Sequence, residues 1–120
     1  MKALARLTGQ HHERQAANYL QKQGLQLIER NYRCRGGEID LVMRDCDALV
    51  FIEVRYRSNS SHGCAAETVT AGKQQKILHA ARYFLSHNPG YQQMPCRFDV
   101  LGIDNGQTTQ YTWLQNAFTE

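Results

Sequence analysis

The sequence predicts a mixed α/β fold, a single β-sheet with α-helices packed against it. Three observations carry this reading. A helical-period apolar face lies near the N-terminus, two strand hairpins occur at separate points of the chain, and a second helical run lies between them. The expected order is helix, three strands, helix, two strands.

Each element has its own signal. Thr8 to Gln23 reads as a helix because Glu13, Ala16, Ala17 and Leu20 recur at the i, i+3, i+4, i+7 spacing of one face. Gly24 suits the residue that ends it. Leu25 to Arg33 favours an extended segment, with Leu25 and Leu27 alternating before Ile28 breaks the pattern. Arg35-Gly36-Gly37 is a turn. Glu38 to Arg44 and Ala48 to Tyr56 are strands, and the link Asp45-Cys46-Asp47 makes them a hairpin. Ser58 to Gly63 is a polar loop. Thr70 caps a second helix, Ala71 to His87, whose apolar side includes Ile77, Leu78, Ala81 and Leu85. Asn88-Pro89-Gly90 stops that helix. Cys96 to Ile103 and Thr108 to Leu114 form another hairpin about Asp104-Asn105-Gly106, where Asn-Gly is the turn signal.

The 120 residues make one domain, with 42% apolar and 21% charged residues, a globular composition. No apolar run approaches the ~20 residues that cross a bilayer. The expectation is a soluble, cytoplasmic protein without a membrane partner. Cys34, Cys46, Cys64 and Cys96 form no CxxC pair, so four reduced thiols are expected and structural zinc is not. The absence of a GxxxxGK[ST] loop gives ATP-driven work no support, and no nucleophile elbow points to serine catalysis.

Charge is patterned along the chain although the net value is only +3. Residues 1–37 carry seven Lys/Arg against two acids, whereas residues 38–53 carry five acids against one Arg. Residues 54–98 then carry six Lys/Arg against one acid. Basic flanks brought together by folding would bind phosphates, and the acidic centre would bind a cation.

Alternation sharpens the acidic centre. Leu49, Phe51, Glu53, Arg55 and Arg57 share one strand face, while Glu38, Asp40 and Val42 share a face of the preceding strand. If Asp45 pairs with Ala48, Asp40 pairs with Glu53, placing their Cβ atoms ~4.5–5.5 Å apart. Two adjacent carboxylates repel, and a hard divalent cation compensates them. Mg²⁺ held by Asp40 and Glu53 would polarise a phosphodiester and acidify a bound water. The Val54 carbonyl offers a further ligand, and Arg55 offers positive charge to the transition state. Glu13 lies on the inward helix face, where it completes the metal site, orients a water as general base, or pairs with an Arg at the rim.

The spacing Asp40, twelve residues, then Glu53-Val54-Arg55 resembles the PD-(D/E)xK nuclease motif. A wider string runs in order: Gln10-x-x-Glu13-x-x-Ala16-Ala17-x-Tyr19-Leu20, Gly24, Glu29-Arg30-Asn31-Tyr32-Arg33, Gly37-Glu38-Ile39-Asp40-Leu41, Phe51-Ile52-Glu53-Val54-Arg55, Val69-Thr70, Lys73, Ala80-Ala81-x-Tyr83 and Arg97-Phe98-Asp99-Val100. Together these resemble the YraN family of bacterial proteins. That family is similar to archaeal Holliday-junction resolvases. The resemblance implies a restriction-endonuclease-like mixed sheet flanked by helices and a metal-dependent nuclease site. Glu13, Asp40 and Glu53 fall on its acidic positions, and Arg55 on the position usually held by lysine. Arginine stays protonated, so charge stabilisation survives there and a base role does not. Ile39 replaces the motif's proline.

Arg33, Arg35 and Arg57 flank this site in sequence as phosphate contacts, and Lys73 early in the second helix reaches for another. Lys76 and Arg82 read as a solvated helix face. His11 and His12 point in different directions, and His62 is a lone loop histidine. Asp99 binds basic side chains around the site or pairs across a sheet edge. Tyr111, Trp113 and Phe118 read as core. The expected function is Mg²⁺-dependent (or Mn²⁺-dependent) endonuclease action on DNA rather than RNA, including branched or recombining DNA, in a chain able to work as a homodimer. The alternatives are a non-catalytic nucleic-acid-binding module and a protein-interaction factor.

Overall fold

A computed structural model describes residues 2–58, 66 and 69–119, with the side chains of residues 2–8 left aside. The chain order is α1 (Lys2–Lys22), β1 (Gln26–Cys34), β2 (Gly37–Asp45), β3 (Ala48–Arg57), α2 (Ala71–His87), β4 (Cys96–Asn105) and β5 (Thr109–Leu114). This is the order expected. The five strands lie in sequence order in one sheet, all neighbours antiparallel except β3 and β4, which are parallel. A parallel pair needs a crossover, and α2 supplies it. The mixed sheet between two helices agrees with a restriction-endonuclease-like fold.

The helices cover opposite faces. Ala16, Ala17 and Leu20 of α1 pack on Leu41, Met43, Val50, Ile52, Leu101 and Ile103. Ile77, Leu78, Ala81 and Phe84 of α2 pack on Val42, Leu49, Phe51, Phe98 and Val100. Alternation along β3 thus sends odd positions to α2 and even positions to α1, as the period of two requires.

Boundaries differ from expectation where local chemistry decides them. Helix α1 starts at Lys2, a turn and a half before Thr8, because nothing in Lys2–Leu7 breaks a helix. It ends at Lys22, and the chain leaves it through Gly24, with φ 105, where the Leu25 N–H bonds the Leu20 carbonyl at 3.1 Å. The break expected at Ile28 is a register shift between Leu27 and Glu29. Thr70 caps α2 through a 3.2 Å bond from the Lys73 N–H. Asn105 stays in β4 opposite Thr109, so the second hairpin turns at residues 106–108 rather than about Asn-Gly. The Thr109 hydroxyl bonds the Asn105 side chain at 2.9 Å and holds that wider turn. Beyond Ser58, the loop expected at Ser58–Gly63, including His62, lies outside the described residues, as does Cys64. No described helix is long and apolar enough to cross a membrane.

Gly37 sets the distance between sheet and α2. A Cβ there would collide with the Lys76 carbonyl and press on Ala80. Its absence lets the first turns of α2 lie close against the start of β2.

Candidate active site

The first hairpin has the register on which the acid pairing depends. Asp45 pairs with Ala48, and the ladder runs from there to Leu41 opposite Ile52. At Asp40 the side chain takes over, and its Oδ2 accepts the Val54 N–H at 2.8 Å. Alternation also breaks here, against the expected Glu38–Asp40–Val42 face: Ile39 and Val42 both pack towards α2 although Leu41 and Met43 face α1, and Asp40 and Glu53 are not a ladder pair. On the neighbouring strand Asn31, between the Arg30–Leu41 and Tyr32–Ile39 pairs, has φ 55. Asparagine is among the few residues that accept this left-handed conformation.

Asp40 and Glu53 meet as a hydrogen-bonded acid pair. Glu53 is only 4% exposed, and its Oε2 is buried without a hydrogen-bond partner. Burial first, and then the Asp40 charge, pushes the Glu53 carboxyl up to about 8, against the pull of Lys73. Asp40 is also raised by burial, opposed by the Val54 N–H and by Glu53. The two carboxyls therefore titrate as one coupled pair, both displaced upwards by burial.

Glu13 reaches the same neighbourhood from α1. Burial, then Asp40, raises it to about 7, while a hydrogen bond with Asn31 and the charge of Arg33 hold it down. Its Oε2 is likewise buried and without a partner. Among the described residues, no group of three or more His, Cys, Asp or Glu side chains is arranged to hold a metal ion. The acids form a close pair with Glu13 as a charged neighbour.

Cations surround the pair. Lys73 Nζ stands 3.9 Å from Glu53 Oε2 and 3.5 Å from Glu38 Oε1. Arg55 Nη1 is 4.0 Å from Glu53 Oε1. Arg33 Nε lies 3.6 Å from Glu38 Oε2. Arg33, Cys34, Gly36, Gly37, Glu38, Lys73 and Lys76 line a cleft of about 500 Å³ beside the acids. Arg35 is exposed and does not line the cleft, and its carbonyl contacts His79 Nε2 at 2.9 Å. Arg57 lies at the end of β3 opposite Asp104. Arg82 is exposed, and Lys76, expected as part of a solvated face, is exposed as well but lines this cleft.

Two members of this site escaped the sequence reading. Glu38 bridges Arg33 and Lys73, and its place on the Asp40 face was the available signal. Asn31 positions Glu13, and only its tolerance of positive φ hinted at that. His12 stacks on Tyr56, ring centroids 3.6 Å apart, while His11 is exposed.

Asp99 is no part of this constellation. It is fully buried and accepts from Arg97, from Trp113 Nε1 at 2.9 Å and from the Asn116 N–H at 2.9 Å. Arg97 also bonds Asp45 at 3.1 Å. Tyr111, Trp113 and Phe118 all pack against the two cores.

Comparison with known proteins agrees with this string of residues. A family model described as "Uncharacterised protein family UPF0102" matches residues 12–103. A UPF0102 protein of Aeromonas hydrophila is 55% identical over 111 residues, covering 92% of this chain and 83% of the relative. One from Herminiimonas arsenicoxydans is 54% identical, covering 92% and 86%. One from Alcanivorax borkumensis is 48% identical, covering 92% and 90%. The chain therefore belongs to the UPF0102 family, also known as YraN.

Proposed function

We propose that this chain is a metal-dependent endonuclease that hydrolyses phosphodiester bonds in DNA, branched or recombining DNA included. The observation that carries the reading is the buried Asp40–Glu53 pair, with the Glu53 Oε2 left without a hydrogen bond at the edge of a basic cleft. A buried carboxylate oxygen with no donor is costly unless something else satisfies it. The resemblance of Asp40 and Glu53-Val54-Arg55 to the PD-(D/E)xK motif, and of the family to Holliday-junction resolvases, supports the same chemistry.

The residues fit a hard divalent cation. The donors are carboxylate oxygens, and the orphaned Glu53 Oε2 is one of them. Asp40 and Glu53 would hold Mg²⁺ or Mn²⁺, with Glu13 assisting. Such an ion, when bound, supplies Lewis-acid polarisation of the phosphodiester. Asp40 is kept in place by its bond to the Val54 N–H. Glu13, at about 7, is suited to take a proton from an attacking water. Arg55 and Lys73 supply positive charge where negative charge builds up. The ammonium that related motifs place at position 55 comes here from α2, as Lys73. Arg33, Arg35, Arg57 and Lys73 engage neighbouring phosphates, and a homodimer would offer two such sites to two strands.

The test is a cleavage panel of four-way-junction, duplex and single-stranded DNA and structured RNA, with and without Mg²⁺ or Mn²⁺. DNA is cut with metal present, and Asp40→Asn removes the cutting. Cleavage unchanged in Asp40→Asn overturns the assignment. A second reading draws on Arg55 in place of lysine and on the absence of a three-acid metal group among the described residues. In it the chain is a nucleic-acid-binding module, and binding is salt-sensitive, indifferent to EDTA and free of cleavage.

A further inference from the structure

A second, smaller pocket adjoins the acids on the side away from Lys73. Gln10, Glu13, Arg14, Arg30 and Asn31 line a space of about 230 Å³. It shares strand β1 with the larger cleft: Arg30 and Asn31 line one, Arg33 and Cys34 the other. Glu13 joins the two electrostatically, since it lines the small pocket and feels the charge of Arg33 from the large one. The kink at Asn31, φ 55, falls at the end of the first of these groups, two residues before Arg33.

The cations of the two spaces differ in their commitments. Arg33 and Lys73 are paired with Glu38, and Lys73 also with Glu53. Arg14 and Arg30 pair with no acid among the described residues. Two guanidinium groups without an acid partner, with the Gln10 amide, form a donor-rich wall, while Asn31 is engaged with Glu13 at its edge. Guanidinium binds phosphate through two parallel N–H groups, and amide NH₂ groups add neutral donors. The volume accommodates one phosphate with its sugar and is too small for a duplex.

We propose that the Gln10–Arg14–Arg30–Asn31 pocket is a second phosphate subsite, holding a backbone phosphate of the nucleic acid on the opposite side of the acids from the Arg33–Lys73–Lys76 cleft. The inference rests on the nuclease reading and deepens it: the strand crosses the Asp40–Glu53 pair and is gripped on both sides. Arg14 and Arg30 are binding residues in this scheme and take no part in bond cleavage.

The experiment measures binding of a fluorescent single-stranded DNA across a salt series for the parent chain, Arg14→Gln/Arg30→Gln, and a control with the same charge loss far from the site, Lys22→Gln/Arg44→Gln. Cleavage with Mg²⁺ is followed in parallel, and thermal melting shows that each variant is folded. The pocket variant binds about 10-fold more weakly, and its log-affinity slope against log salt falls by roughly 1 to 1.5. The control shifts binding by less than about 2-fold, and Arg14→Lys/Arg30→Lys restores part of the loss. A neutral methylphosphonate linkage at one position of the strand weakens binding to the parent but not to the pocket variant. If the pocket variant binds as the parent does while both cut DNA, the subsite is overturned and the nuclease reading stands. If the parent binds but does not cut, the binding comparison still decides the subsite. If the parent binds no nucleic acid, both proposals fall.

Discussion

The molecule buries carboxylates in two places and treats them in opposite ways. Asp99 is fully buried, and Arg97, Trp113 and Asn116 all donate to it. Glu53 is almost as buried, yet one of its oxygens has no donor, and its nearest charged neighbour of the same sign is Asp40. Both side chains come from central strands of one sheet, and their immediate partners differ. A saturated carboxylate ties β4 to β5 and to the first hairpin through Arg97. An unsaturated one keeps free capacity for something the chain does not itself supply. Buried acids are therefore informative by their unmet demand rather than by their depth.

Substitutions at the two centres should have opposite consequences. The largest effect falls on the unsaturated centre: Asp40→Asn should lower metal-dependent cleavage by at least ~10³-fold, equivalent to about 4 kcal/mol, while melting changes little. Asparagine retains an oxygen for the Val54 N–H, so the sheet contact survives. On the saturated centre the signs reverse. Asp99→Ala strands Arg97 and the Trp113 N–H, and should cost about 3–5 kcal/mol in denaturant unfolding. A similar loss in Asp40→Asn would erase the distinction.

pH sharpens the contrast next. Glu53 and Glu13 are raised in the folded chain to about 8 and about 7, from an ordinary 4.5. A raised carboxyl keeps its proton in the folded state after the unfolded chain has lost it. Stability is thus fully present below the ordinary value and falls as pH rises through the folded values, in the window from about 4.5 to 8. Urea unfolding of the metal-free chain should show a decline of about 2–4 kcal/mol across it. Glu53→Gln should flatten most of this slope. Added Mg²⁺ should restore stability at the alkaline end by about 1–3 kcal/mol and release protons on binding. A pH profile that does not differ between the parent and Glu53→Gln would contradict the raised Glu53 carboxyl.

The smallest effect tests the geometry around Lys73. Gly37→Ala should push α2 outwards, cost about 1–3 kcal/mol in stability, and reduce cleavage several-fold without changing its pH dependence. Unchanged melting would mean that the contact at Gly37 is slack.

Much of the fold could be read from residue patterns because its information is local. The two-residue link between Asp45 and Ala48 fixes the strand register as far as Leu41 and Ile52, but alternation fails at the next step, and it is the bond from the Val54 N–H that holds Asp40 beside Glu53. Glu13 could be found because helical period ties it to Ala16, Ala17 and Leu20. The place of Lys73 early in α2 marks it as a phosphate contact, but its distance to Glu53 depends on how the crossover packs, which no local pattern states. Asn31 was hidden for another reason: a single residue in a rare backbone conformation leaves no periodic trace. The Arg97–Asp99 pair was half visible, being two residues apart on one strand face, but the donors from Trp113 and Asn116 arrive from a later segment.

Gly37 has a reach beyond its size. By omitting one carbon it sets the gap across which the α2 ammonium addresses the central acid. Whatever pries α2 from the sheet, whether a bulky residue, a wedge or a partner, would lengthen that gap first and leave the acids where they are. The site would then dim before it broke, keeping its shape while losing the charge that attends it.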